Sequence, residues 1–429
     1  MKRISIVIAL LVSNIALISN VSAKEASKII IKKDTKSYST KTIKNKMEEI
    51  LTEVENIRHL KVSKPVSVGI KTTKELNKYL AKTIDKEYSD IEIRKEKLLY
   101  QHFGVIEKSM DFKQALLNLY TQQIAGLYDD KSKEFFIIER NGQSSDDGET
   151  DVVVSHELVH AIQDQNFNID KYVRKDTNND VISAKMAVIE GEATVVSMQY
   201  IFTQSPLFAG NVPDIESLMD NPLVKLLDTG SKNIPGFFKE QLYFPYTKGS
   251  KFIQELHKHF DKDWKKMDIV YKNPPVSTEQ IMHPEKYLKN EKPENIVLNK
   301  KIVDKEFKLV DTNSLGEFFM FNFFLEYLTE NDSKIASEGW NGDKIQIYAN
   351  KNDDTFIVMN TSWDTTKDAN EFFDYYKETV KERFSKLKVL ENKPNKFLAQ
   401  YDGKKVLITK NKNRVNLAEG FTPRLEKKI

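Results

Sequence analysis

Two histidines four positions apart on an apolar stretch constrain this chain more than any other feature. They lie in His156-Glu157-Leu158-Val159-His160, within the run from Thr150 to Asp164. Residues four apart on a helix lie one above the other, so both imidazoles can point at one ion. Glu157 projects beside them, within reach of a water on that ion without being a ligand. Val152, Val153, Leu158, Val159 and Ile162 supply apolar faces, which predicts a buried helix, with Thr150 or Asp151 as its cap. Two neutral imidazoles suit zinc. A catalytic zinc needs a third protein ligand and one open position.

A second helix is predicted over Val181–Tyr200, capped by Asp180. Its apolar stripe is Ile182, Met186, Ile189, Ala193 and Val196. Into that stripe the sequence sets Glu190-Gly191-Glu192. Acidic groups are rarely buried without a partner, and a metal ion is one such partner. Both carboxylates have apolar neighbours a turn away, so periodicity does not choose between them.

The rest of the chain frames these helices. At 429 residues it exceeds what one hydrophobic core usually serves, which predicts two domains. A net charge of +3, with Lys and Glu interspersed, argues against a nucleic-acid surface. The absence of cysteine excludes disulfides, thiolate ligands and a catalytic thiol. Lys2 and Arg3, the apolar run Ile4–Ile18 and Val21-Ser22-Ala23 read as a signal peptide over residues 1–23. That predicts export to a periplasm or the cell exterior, with no stable membrane span after cleavage.

Residues 24–43 read as a polar leader. Helices are predicted over Asn45–His59, Thr72–Tyr100 and Asp111–Ala125, with a strand over Val66–Ile70. Gly126–Lys133 has turn residues and leads into the β-rich Glu134–Ile138, a hairpin whose edge could accept an extended peptide. Asn141–Gly148 and Phe202–Phe238 read as loops. Tyr243–Gly249 leads into a helix ending at Phe260. Ser277-Thr278-Glu279-Gln280 has capping-box spacing before His283 and Pro284.

From residue 296 the pattern becomes a compact α+β unit. Phe318–Leu328 and Lys367–Phe384 read as helices, the second capped by Thr365 or Thr366. Hairpins are expected around Asn352–Asp354 and Asp402–Gly403. No catalytic constellation is visible there, which suggests a packing or recognition role. The expected fold class is therefore α+β. A mostly helical domain with a small sheet spans 44–295, and a smaller α+β domain spans 296–429.

His156-Glu157-x-x-His160 followed by Glu190-Gly191-Glu192-Ala193 resembles the gluzincin type of zinc metallopeptidase, and implies a zincin-like fold for the first domain. The second stretch is similar to the Glu-Gly-Phe-Ala of the aminopeptidase branch, whose first glutamate is the ligand. The resemblance therefore implies one zinc per chain on His156, His160 and Glu190, with Glu192 the second choice. Another form of the group has an aspartate four residues after the ligand. Here that position is Thr194.

The order from Gly126-Leu127-Tyr128-Asp129 through His156 to Ser277–Pro284 also resembles exported bacterial metallopeptidase-like proteins of poorly defined substrate. The implied activity is hydrolysis of a peptide or protein substrate, by water that zinc activates and Glu157 deprotonates. Tyr246 and His283 are the candidates to stabilise the oxyanion, His283 favoured because a chain with seven histidines has few to spare. Asp164 reads as a solvated acid at the helix end. The competing expectation is a non-catalytic binding or assembly protein on the same scaffold, its metal structural or absent.

Overall fold

The computed structural model describes residues 6–10, 40–140, 147–204, 235–298 and 302–429. The cleavage signal Val21–Ala23, the leader through residue 39, the polar loop over 141–146 and the irregular stretch over 205–234 lie outside the described residues. In order, the first part comprises β1 (Ile6–Leu10), α1 (Thr40–Arg58), β2 (Ser67–Thr72), α2 (Thr73–Glu87), α3 (Asp90–His102), α4 (Phe112–Gln123), β3 (Ile124–Asp129) and β4 (Glu134–Glu139). Then come α5 (Asp147–Phe167), α6 (Ile169–Arg174), α7 (Asn179–Thr203), α8 (Gly236–His259), α9 (Ile269–Lys272), α10 (Thr278–Met282) and α11 (Pro284–Leu288).

The C-terminal part comprises β5 (Lys308–Asn313), α12 (Gly316–Leu325), α13 (Glu330–Ser337), β6 (Trp340–Ala349), β7 (Thr355–Trp363) and α14 (Thr366–Arg383). It closes with β8 (Lys388–Lys393), β9 (Lys396–Tyr401), β10 (Lys404–Asn411) and β11 (Arg414–Phe421). The fold class is α+β: a helical N-terminal part with a four-stranded sheet, then a seven-stranded sheet.

Several boundaries differ from the sequence reading, each for a local reason. The single helix expected over Thr72–Tyr100 is two, because Ser89 takes extended geometry and forms a capping box with Glu92. Gly126–Asp129 is strand rather than turn; the chain reverses over the residues up to Lys133, whose φ is +57°. Helix α5 begins at Asp147, so neither Thr150 nor Asp151 caps it, and Asp151 pairs with Lys46 of α1 at 2.5 Å. The cap of α7 is Asn178, not Asp180. Helix α8 starts at Gly236 and carries Pro245 inside it. Ser277 caps α10 by accepting from Gln280 N–H. The Gln280 side chain is turned away to Val276 N–H and Glu291 O, so the reciprocal half of the box is missing.

The first sheet has the order β1-β3-β4-β2, with β2 and β4 parallel and the other pairs antiparallel. The strand on the β3 edge, Ile6–Leu10, comes from the segment read as a signal peptide. The second sheet is wholly antiparallel, in the order β5-β6-β7-β11-β10-β9-β8. Its hairpin at Asp402–Gly403 has φ of +42° and +74°, the left-handed pair that a two-residue turn requires.

Two large apolar clusters divide the interior. One joins α2, α3 and α4 to α12, α14 and the C-terminal sheet through Leu76, Phe103, Phe112, Phe323, Trp363 and Tyr376. The other is built on α5, α7 and α8, with Val153, Leu158, Val188, Val196, Phe252 and Ile253 among its members. Helix α7 is apolar nearly all round, as a helix wrapped by others must be. Among the described residues, no helix is long and apolar enough to cross a membrane.

The C-terminal part keys onto the rest through buried polar contacts. Asp180, in the first turn of α7, accepts from Thr278 N–H (2.9 Å) and Thr278 Oγ1 (2.5 Å) of α10, and Thr278 Oγ1 in turn accepts from Phe318 N–H of α12 at 3.2 Å. Gly316, at φ +84°, lies so close that a Cβ there would meet Asp180 Oδ1 at 1.9 Å. At the other end of the interface, His102 lies 3.3 Å from Glu419 Oε1, and Arg383 donates to both His102 O and Glu419.

Candidate metal centre

A close crossing of helices creates the site. A Cβ on Gly191 would lie 2.3 Å from Gly249 C, and one on Gly249 would lie 2.2 Å from Ala187 O. Only glycine permits such an approach, and it draws α8 against α7 beside Glu190. On the other flank, α5 packs against α7 and β3. There Gly126 admits Val153 and Glu157; a Cβ would meet Val153 Cγ1 at 2.5 Å and Glu157 Oε1 at 3.1 Å.

His156, Glu157, His160, Glu190 and Glu192 are all buried. The imidazoles stand edge to face, their centroids 4.6 Å apart. His156 Nε2 lies 3.2 Å from Glu190 Oε2, and His160 Nε2 lies 3.4 Å from the same oxygen. His156, His160 and Glu190 thus offer three donor atoms within 4.8 Å of one another.

The donor set can be tested against an ion by size. Bonds of about 2.0–2.1 Å in a tetrahedron put neighbouring ligand atoms about 3.3–3.4 Å apart. A charge-assisted N–H···O hydrogen bond would instead draw them to about 2.7–2.9 Å. The observed 3.2 and 3.4 Å match the first case better. Protonation fits as well. Burial pushes His156 down to about 4, against the opposing hydrogen bond to Glu190, so the ring is neutral near pH 7. Burial pushes the Glu190 carboxyl up, but His160 and His156 outweigh it and hold it below the usual carboxylate range. Two imidazoles and a carboxylate are a donor set that a divalent ion of intermediate softness takes.

Glu192 has a different place. Arg58 Nε donates to its Oε1 at 2.6 Å, Gln163 Nε2 to its Oε2 at 2.9 Å, and the Tyr271 hydroxyl also donates to Oε2. It belongs to an ion-pair network beside the three-donor group, not to the group itself. Thr194, at the position of the supporting aspartate in the other gluzincin form, hydrogen-bonds to Glu190 O within its own helix. His160 finds support from Gln163, whose Oε1 lies 2.8 Å from Nδ1. Sequence reasoning missed Gln163, although its spacing of three from His160 signals a shared helix face. It also missed Arg58, for which no local signal exists.

The remaining candidates separate. Tyr246 is buried on α8 with its ring near-parallel to His156, the centroids 6.1 Å apart. His283, between α10 and α11, gives Nε2 to Glu317 of α12 at 2.9 Å. Burial pulls its imidazole down, but Glu317 outweighs that and raises it above its ordinary value. Asp164 is not a solvated acid: it is buried, with Tyr128 donating at 3.0 Å and Lys133 paired to the same oxygen.

Among the described residues one other group has metal-like spacing, Glu279, Glu291 and Asp364. The Lys286 ammonium already fills it, at 2.6, 2.8 and 2.5 Å.

Residues 305–428 match a domain family of unknown function, DUF8575. That stretch holds the seven-stranded sheet and none of the residues of the three-donor group. No curated protein and no solved structure matches the chain.

Proposed function

We propose that this chain is an exported zinc metallopeptidase that cleaves peptide bonds, its first part a zincin-like domain. The observation that carries the reading is the pair of separations from Glu190 Oε2 to two imidazole Nε2 atoms, 3.2 and 3.4 Å, in a fully buried site. His156, His160 and Glu190 would hold the ion. Bound there, zinc supplies Lewis acidity towards a water molecule and a peptide carbonyl.

The protein's own groups supply the rest. Glu157 follows His156 on α5 but stands outside the three-donor group, and a buried carboxylate beside an ion is placed to take a proton from water. It then returns that proton to the leaving amine. Tyr246, stacked by His156, is the nearer candidate for a donor to the developing oxyanion. His283 retains that role only by swinging away from Glu317.

The substrate is an extended peptide. Strand β3 runs past Glu157 at Gly126, and its outer edge is the one that β1 occupies. Loss of the segment read as a signal peptide would remove β1 and open that edge to an added strand.

The test is a mixed peptide library digested by the mature chain with and without a chelator, read by mass spectrometry. Cleavage should vanish with chelator and in Glu157→Gln while zinc stays bound. If wild type and Glu157→Gln behave alike, the catalytic reading is wrong and the site belongs to a non-catalytic binding or assembly protein.

A further inference from the structure

Glu192 leads from the three-donor group to a chain of contacts whose polarity can be read atom by atom. Arg58 is buried at the end of α1. Its Nε donates to Glu192 Oε1 (2.6 Å), Nη1 to Trp264 O (2.9 Å) and Nη2 to Asp268 Oδ1 (2.9 Å). Its guanidinium also lies over the Phe167 and Trp264 rings, 5.8 and 5.6 Å from their centroids. Tyr271, stacked on Phe167 at 3.9 Å, adds its hydroxyl to Glu192 Oε2. The Glu192 carboxylate is therefore fixed on both oxygens by groups from α1 and α9.

Gln163 connects this anchor to a histidine. Two oxygens face its Nε2, Ile189 O at 2.9 Å and Glu192 Oε2 at 2.9 Å. A carbonyl and an ion-paired carboxylate accept and do not donate, so the NH2 of the carboxamide must be on that side. The oxygen of Gln163 then faces His160 Nδ1 at 2.8 Å, a contact that is a hydrogen bond only if Nδ1 carries the proton. In a neutral ring the lone pair is left on Nε2, which is the atom turned towards Glu190 Oε2 at 3.4 Å.

We infer that Gln163 is a positioning residue for His160: anchored by the Arg58–Glu192 pair, it fixes the tautomer and ring plane that present Nε2 to a metal ion. The inference rests on the reading of His156, His160 and Glu190 as a metal centre. An amide serves here where a carboxylate would not. A second carboxylate beside Glu192 would place two like charges together in a dry interior. A neutral bridge also leaves the donor set with the single negative charge of Glu190, so a divalent ion keeps net positive charge and Lewis acidity.

Two measurements on the full chain test this. Histidine-selective 15N labelling, with the His160 signals identified by their loss in His160→Gln, reports the tautomer in metal-free protein. The Nδ1–H form is expected, and an Nε2–H form would overturn the inference. In parallel, Gln163→Met and Gln163→Glu are titrated with zinc alone against a chelating dye, and with cobalt for its visible spectrum.

Gln163→Met should bind zinc about 10- to 100-fold more weakly, as loss of a ligand's supporting hydrogen bond does elsewhere, and should alter the cobalt spectrum. Gln163→Glu keeps an acceptor oxygen towards His160 but loses the donor to Glu192 and sets a second carboxylate against it, so it should lose stability and bind zinc more weakly than wild type as well. Wild-type affinity and spectrum in Gln163→Met would overturn the role. If Gln163→Met does not fold, the tautomer in the wild-type chain decides. If wild type binds no zinc, the metal-centre reading fails by itself, and the metal-free tautomer still judges Gln163.

Discussion

Arg58 Nε lies 2.6 Å from Glu192 Oε1, and both side chains are sealed from solvent. Removing one member of such a pair leaves a charge in a dry interior, which costs about 3–5 kcal/mol. Arg58→Met should lose stability of that order in urea unfolding, and Arg58→Met/Glu192→Gln should regain part of it. A loss in Arg58→Met below about 1 kcal/mol would show that the pair is solvated in solution.

The same contact makes α1 part of the folded body. A chain starting at Thr40 should unfold cooperatively like the full one, whereas a chain starting at Ser63 should be insoluble or non-cooperative. Any N-terminal processing must then stop before α1, and N-terminal sequencing of the mature protein checks this directly.

The Gly191–Gly249 crossing sets the distance between α7 and α8. In Gly191→Ala the new methyl would meet Gly249 C at 2.3 Å, and backbone cannot rotate aside as a side chain can. Overpacking typically costs about 1–3 kcal/mol, and a backbone clash should reach the upper end. Glu190 precedes Gly191, so zinc affinity should fall as well. A variant with unchanged melting temperature and unchanged zinc affinity would mean that the helices are not held this closely.

Asp180 links α7 to the C-terminal part and gives the junction a pH dependence. Burial pushes its carboxyl up to about 7, aided by the charges of Asp343 and Glu317 and opposed by the Thr278 donors. The folded value lies above the unfolded one of about 3.9. Below about pH 4 the group is protonated in both states, and its contribution to stability is complete. As pH rises from there through 7, the unfolded chain releases the proton first and that stability is lost, by at most about 1.4 kcal/mol for each pH step of one. Thermal melts should show lower stability at pH 8 than at pH 5, with a smaller difference in Asp180→Asn. An equal pH dependence in both proteins would assign the effect to other groups.

How far the chain could be read from its sequence depends on the range of the interactions. His156, Glu157 and His160 were legible because they share one helix turn and need no distant residue to be placed together. The α+β class was legible from periodicity, and the Asp402–Gly403 hairpin from turn chemistry. Glu190 and Glu192 were not separable locally, since both sit among apolar neighbours on one helix. What separates them is Arg58, distant in sequence, and Gln163 on the other helix. Strands β5, β8 and β11 went unread because their identity lies in pairing: β11 is central in its sheet, yet its buried residues begin a simple alternation only to lose it at Ala418–Phe421. Asp164 was misread as solvated because Tyr128 and Lys133 cover it from the β3–β4 hairpin.

Whether three donors meet one ion is tested most directly by equilibrium dialysis of the purified chain against zinc. Wild type and Glu192→Gln should each hold one zinc per chain, and Glu190→Gln should hold none at the same free zinc concentration. Zinc retained in Glu190→Gln but lost in Glu192→Gln, or no zinc in wild type, would contradict it.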